Sequence, residues 1–364
     1  MPQQSAFKVL IPIVAGIGNA LLAVPMIRRL KRHRPDASIT ILARIDAMAE
    51  VFRRLPEIDE VLVTGKGARG ILTNIQSSRS RRPDLYLIPF PSNRWQYAML
   101  ALTGGAKQKI LHGYPIGYWR AMHFVGTRIP AIQGLHDVQQ NLNLLKALNI
   151  PDLTPEPPIF PLRPEDYSLP QGAKPTPSGL GAPRPLAIHA GSAKTILARA
   201  KRWPPDRYAQ LIDRLQVEQS HPIILLEGPD EEGVGDEITQ HIRSTKPHVI
   251  RLRGPLGEAA AILEQSDLYI GSDSGLAHLA AAVGTPAVTI FSAADPDRVC
   301  PFGYRHLVVQ PPGETPTFLY PWQATAPKLA PDALTNIQKI TVDAVMEKVN
   351  LALSQQRENA ESRA

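Results

Sequence analysis

Residues 266–286 read SDLYIGSDSGLAHLAAAVGTP. The pattern predicts a short buried strand over 267–270, a polar turn over 271–274, and a helix over 275–283 that Gly284 ends and Pro286 keeps from resuming. Ser272 or Asp273 is placed to cap that helix. The N–H groups of Ser274, Gly275 and Leu276, with the helix dipole, favour an anion such as phosphate. Beyond its first turn the helix is Ala, Leu and Val on every face, so it is buried, and His278 is its only ionisable side chain. A capped core helix holding one satisfied histidine has the same local pattern, so the preceding chain must separate the two readings.

From Pro185 onward the chain alternates strand and helix: strands at 186–189, 223–226, 248–252 and 287–291, helices at 206–216, 235–243 and 256–265. Three turns fall at strand carboxyl ends. AGSAKTILARAKRWP (190–204) offers small residues at Gly191 and Ser192 for close backbone approach, then Lys194, Arg199, Lys201 and Arg202 as phosphate-neutralising bases. EGPDEE (227–232) offers carboxylates that can accept hydrogen bonds from ribose hydroxyls. With the turn at 271–275 they supply anion donors, a cation and a ribose acceptor from one edge, the set a nucleoside diphosphate requires.

The first half opens the same way. FKVLIPIV (7–14) is a strand, residues 15–19 a glycine turn containing Gly16 and Gly18, and 20–33 a helix. Further strands are expected at 38–43, 61–63, 85–89 and 109–112, and an amphipathic helix at 137–148 aligns Leu142, Leu145 and Leu148. Residues 151–185 carry 11 prolines and read as a connection. The expected division is a domain over 1–150, a linker over 151–185, a nucleotide-binding domain over 186–335, and a helix and frayed tail over 336–364. The fold class is α/β, two doubly wound Rossmann-like domains facing a central cleft, with ligand at the strand carboxyl ends.

At 364 residues and 43% apolar side chains the chain is long enough for two globular cores. Cys300 is the single cysteine, which excludes an intrachain disulfide and a multi-cysteine metal site and fits a reducing compartment. Residues 9–27 carry no charge, but Pro12, Gly16, Gly18, Asn19 and Pro25 punctuate the run, so strand, turn and helix explain it better than a signal peptide or membrane anchor. Residues 1–150 hold 20 Lys plus Arg against 8 Asp plus Glu, a net of +12, and the remainder has a net of −5. Clusters at 28–34 and at Arg79, Arg81 and Arg82 suit an anionic partner. Nucleic acid lacks a recognition motif or aromatic platform here.

HAGS, KRWP, EGPDEE, SDSGLAHLAAAVGTPAVTIF with ADPDRVCPFG after it, and GIGNALLAVPMIRRL near the start resemble the ADP-heptose:lipopolysaccharide heptosyltransferase family, glycosyltransferase family nine. The resemblance implies a GT-B architecture and an inverting transferase that needs neither metal nor cofactor. It implies an ADP-heptose-like nucleotide-sugar donor held by the second domain. The implied acceptor is an anionic lipid-linked saccharide, met by a cytoplasmic enzyme in peripheral contact with the inner membrane surface, and the basic first half then has a reason. By resemblance, Ser192 and Lys201 contact donor phosphates or sugar, and Asp230 is the acidic ribose-binding position with Glu231 as its neighbour. Asp273, Ser274, Gly275, Leu276 and His278 match the donor turn, with Gly191 beside them and Gly16 and Gly18 on the acceptor side.

The expected catalytic set is Asn19, Lys201 and Asp273. Asn19 stands where several family members carry an aspartate, and an amide cannot take the acceptor proton at neutral pH. Asp46, His112 and Asp137 are the other candidate bases, and the sequence does not choose among them. Rival readings are a non-catalytic nucleotide-sugar binder and an NADP enzyme. The second is disfavoured by Leu21 at the third glycine position of the dinucleotide motif. Asp295 and Asp297 form a DxD that reads as a helix start rather than a metal site.

Overall fold

The computed structural model describes residues 6–13, 15–93, 95–115, 124–168, 183–191, 200–219, 221–313 and 333–362. The first unit runs β1 (Phe7–Ile13), α1 (Ile17–His33), β2 (Ala37–Ala43), α2 (Asp46–Arg53), β3 (Glu60–Val63), α3 (Gly67–Arg81), β4 (Leu85–Leu87), α4 (Trp95–Thr103), β5 (Gln108–Gly113), β6 (Thr127–Pro130) and α5 (Asp137–Asn143). Its six strands are parallel in the order β3-β2-β1-β4-β5-β6. The order reverses between β1 and β4, so the switch point of this sheet lies beside the glycine turn after β1.

The second unit runs β7 (Leu186–His189), α6 (Pro205–Glu218), β8 (Ile223–Glu227), α7 (Val234–His241), β9 (His248–Arg251), α8 (Leu256–Glu264), β10 (Leu268–Ser272), α9 (Gly275–Ala282), β11 (Ala287–Ile290), α10 (Pro296–Val299), β12 (Val308–Val309), α11 (Ala333–Asn336) and α12 (Val342–Glu361). These strands are also parallel, in the order β12-β11-β10-β7-β8-β9, which repeats the topology of the first sheet with its switch point between β7 and β10. Helices cover both faces, so β7, β8 and β10 are buried along their whole length and are near-continuous apolar runs. No described helix is long and apolar enough to cross a membrane.

The structure departs from the expected elements in five places. The helix expected over 137–148 is α5 followed by a 3-10 segment, Leu144–Leu148, and its cap is His136, whose Nδ1 accepts from the Val138 N–H at 3.2 Å. Strands β6 and β12 were not anticipated; both are short outer strands without clear alternation. Residues 151–161 do not stand apart as linker. Arg29 donates to the carbonyls of Asp152 and Thr154, and Arg54 donates to Pro161 O and lies 4.5 Å over the Phe160 ring, which straps the stretch to the first unit.

The C-terminal helix, expected to end at Leu353 with a frayed tail from Ser354, does not stop there. It continues to Glu361, with Gln356 Nε2 donating to Asp267 O at 2.5 Å. Val345, Met346, Val349, Ala352 and Leu353 of α12 join the core of the second unit, and Trp203 Nε1 donates to Ile340 O at 3.0 Å just before it.

Candidate active site

The second sheet's switch point is built on a glycine. A Cβ on Gly271 of β10 would lie 2.3 Å from the His189 carbonyl of β7 and 2.7 Å from the Tyr269 hydroxyl, so only glycine leaves that hydroxyl room at the strand end. Tyr269 OH meets Ser274 Oγ and His189 Nδ1, each at 3.2 Å, and Ser274 Oγ lies 3.3 Å from the same nitrogen. Burial holds the Tyr269 phenol well above its ordinary pKa, so it stays protonated and able to donate. The triangle of His189, Tyr269 and Ser274 ties β7, β10 and the turn before α9 together.

The cap of α9 differs from expectation. Ser274 is the N-cap, and its side chain makes no capping bond. Ser272 faces Tyr208 OH at 3.1 Å, while Asp273 accepts from Lys201 Nζ at 2.5 Å. The first-turn N–H groups of α9, including those of Gly275 and Leu276, are thus left without a side-chain cap at the carboxyl edge of the sheet. His278 is buried one turn further on.

Lys201 reaches this point because its neighbours are pinned. Ala200 is fully buried and its carbonyl accepts from Ser292 Oγ, and Trp203 is buried against Tyr208, edge to face at 5.0 Å. The ammonium itself is partly open, whereas the Asp273 carboxylate is nearly closed off. Ser192, Lys194 and Arg199 lie outside the described residues.

Two neighbouring carboxylates, Asp230 and Glu231, take different places. Asp230 is exposed on the turn after β8. Glu231 is buried, with Oε2 3.6 Å from His189 Nε2. It fills a slot between two glycines: a Cβ on Gly191 would fall 2.1 Å from its Cγ, and one on Gly228 2.5 Å from its Oε2. Glu227, at the end of β8, has a structural task that the sequence did not reveal. Its Oε2 accepts from the N–H groups of Gly233 at 3.2 Å and Gly235 at 2.8 Å, fixing the start of α7.

On the first unit, α1 already begins at Ile17, so Gly18 and Asn19 are in its first turn and Gly16 is the N-cap. Gly16 is not sterically required, since a Cβ there would meet only Asn19 Nδ2 at 4.0 Å. Asn19 stands half-buried at the carboxyl end of β1. Of the other candidate bases, Asp46 is exposed and ion-paired with Arg53 at 2.8 Å, while His112 and Asp137 are fully buried. His112 packs edge-on against Phe90 at 5.2 Å, and its Nδ1 lies 3.2 Å from the Ile129 carbonyl. Asp295 caps α10 through the Asp297 N–H at 3.0 Å, and Asp297 pairs with Arg305, so both carboxylates of the DxD have structural partners.

Burial lowers the His112 pKa from 6.5 to about 4, so the folded imidazole is neutral at pH 7. The unfolded chain protonates first as pH falls; the stability held by the neutral ring is therefore full above pH 6.5 and lost between 6.5 and 4. Urea unfolding at pH 7 and pH 5 should show the wild type losing about 2 kcal/mol more than His112→Gln over that interval.

Two parallel sheets of identical doubly wound order, each with its switch point at a strand-to-helix turn, define a GT-B fold. A model of glycosyltransferase family 9 (heptosyltransferase) matches residues 92–320. The chain belongs to this family and is a glycosyltransferase. It is 30% identical over 292 residues to lipopolysaccharide heptosyltransferase 3 of Escherichia coli K12, covering 76% of this chain and 80% of that one. Among solved structures it resembles the family 9 glycosyltransferase of Veillonella parvula, with a TM-score of 0.75 at 18% identity over 96% of this chain and 97% of that one. The E. coli ADP-heptose lipopolysaccharide heptosyltransferase II gives a TM-score of 0.69 at 18% identity, over 96% of this chain and 99% of that one.

Proposed function

We propose that the protein transfers heptose from an ADP-linked donor to a phosphorylated saccharide of the lipopolysaccharide core, with inversion at the anomeric carbon. The acceptor oxygen forms the new bond to that carbon, the bond to the β-phosphate breaks, ADP leaves with the electron pair, and the acceptor proton passes to a base. The observation that carries this reading is the Lys201 ammonium held by Asp273 beside the N-terminus of α9. A cation and free N–H groups together stabilise a leaving diphosphate. Glu231 accepts from the ribose hydroxyls, Gly191 and Ser192 let the phosphates approach, and Asp273 keeps Lys201 in place. Names of relatives support the donor and acceptor classes: one is a lipopolysaccharide heptosyltransferase, another an ADP-heptose enzyme.

On the first unit, Gly16, Gly18 and Asn19 receive the acceptor, and the Asn19 amide orients its hydroxyl. Asp46 is the base we assign, because it is the one of the three remaining candidates that solvent reaches. The test is incubation of ADP-heptose with a phosphorylated core acceptor, with product read by mass spectrometry and nucleotide binding read separately by thermal shift. ADP should raise the melting temperature more than UDP or NADP. Asp46→Asn should abolish product and leave the ADP shift intact; retained turnover would move the base elsewhere. ADP binding with no transfer by the wild type would leave a nucleotide-sugar-binding protein in place of an enzyme of this specificity.

A further inference from the structure

On the first unit, α3 and α4 lie side by side on one face of the sheet. Ser78 Oγ donates to Gly104 O at 2.5 Å, and Arg79 Nε donates to Thr103 O at 2.8 Å, which locks the end of α3 to the end of α4. Helix α4 buries Tyr97, Ala98, Leu100 and Ala101, as an amphipathic helix should, but its outer face is not polar. Trp95, Met99 and Leu102, spaced i, i+4 and i+7, are 54%, 40% and 41% exposed and form one apolar stripe along the helix. Leu72 of α3 is 55% exposed on the neighbouring helix.

The stretch of chain that carries this stripe is almost all of one charge sign. Residues 61–136 contain ten Lys plus Arg and one acid, Asp84. Asp84 is already engaged by Lys107 Nζ at 2.7 Å and the Lys8 N–H at 2.9 Å. Arg81 is consumed by a two-point pair with Glu60 at 2.6 and 2.7 Å, so it is not one of the free bases that the sequence suggested. Lys66, Arg69 and Arg82 are exposed and meet no carboxylate among the described residues, and Arg79 spends only its Nε on a backbone carbonyl.

We propose that this surface, the Trp95, Met99 and Leu102 stripe of α4 rimmed by Lys66, Arg69, Arg79 and Arg82, docks the protein on an anionic lipid bilayer. An aromatic and apolar ridge sinks to the headgroup boundary, and the cations meet lipid phosphates. Charge decides between a bilayer and a second copy of the chain, since a twofold contact through this face would set the unpaired cations against their own images. Helix α4 begins after β4, at the sheet edge that also holds Asn19, so the ridge starts on the acceptor edge and runs away from it. Delivery of a lipid-linked acceptor to that edge rests on the proposed function; the docking itself does not.

The test is co-sedimentation of the full chain with phosphatidylcholine vesicles, with and without phosphatidylglycerol. The wild type should bind the phosphatidylglycerol vesicles and release as salt rises. Trp95→Ser with Met99→Ser and Leu102→Ser should weaken binding about tenfold or more. Arg69→Glu with Arg82→Glu should do the same, each charge being worth about fivefold. Both variants should keep the wild-type thermal shift with ADP, which shows them folded and reads the donor site independently of the membrane. A wild type that stays in the supernatant with phosphatidylglycerol vesicles, or binds neutral vesicles equally well, overturns the proposal. So does a dimer in sedimentation velocity that the serine variant dissolves, which would give the face to a second copy.

Discussion

Lys201→Ala should lower turnover by about 10²–10³-fold, the effect of deleting one preorganised group that stabilises developing charge. The ammonium lies 2.5 Å from Asp273 and is carried by a backbone fixed on both sides, at Ala200 through Ser292 and at Trp203 through Ile340. Its loss should therefore cost chemistry rather than fold. It also leaves the nearly buried Asp273 carboxylate unpaired beside the proposed diphosphate position, so ADP affinity should fall as well. The two effects separate in Lys201→Ala combined with Asp273→Asn: removing the stranded charge should restore much of the ADP affinity but not the turnover. Steady-state kinetics together with ADP titration check this. Equal recovery of both would make the pair a structural ion pair with no part in leaving-group departure.

Much of the second unit was legible because its strands are buried on both faces and its turns carry glycine and proline at the places where chain direction changes. The LYI core of β10 and the glycine at 284 needed no tertiary information, although the strand runs on through Gly271 and Ser272, which were expected in the turn. The first unit's short outer strand β6 was not legible, since four residues, the outer two exposed and the inner two half-buried, have no pattern that distinguishes strand from loop. The site shows the same division. Residue types in the three turns indicated a phosphate and ribose site, but Asp230 and Glu231 are adjacent in sequence and only packing decides which is enclosed. The Tyr269 hydroxyl joins the site through space left by Gly271, a relation across two strands that no spacing encodes. His112, one of three candidate bases in the sequence, lies within β5, and burial against Phe90 is what makes it a core histidine. For α12, the amphipathic signal fades after Leu353, and the helix is held further by contacts such as Gln356 with the Asp267 carbonyl.

Gly191→Ala should reduce ADP affinity about 10- to 100-fold while leaving the protein folded, the range for losing a hydrogen bond to a charged group. The new methyl would lie 2.1 Å from Glu231 Cγ and 2.3 Å from its Cδ, distances that no side chain tolerates. The clash is with a flexible side chain rather than backbone, so Glu231 swings out of its slot, and with it the acceptor assigned to the ribose hydroxyls. Glu231→Ala should show the same loss by deletion. The two changes must then fail to add: with the carboxylate gone, the methyl at 191 has nothing to displace, and the double variant should bind ADP no worse than Glu231→Ala alone. Calorimetric titration of the four proteins closes the cycle. Additive losses would mean that Gly191 serves the phosphates by its own backbone approach, independently of Glu231. An unchanged affinity in Glu231→Ala would hand the ribose to the exposed Asp230, whose replacement by alanine should then carry the full effect.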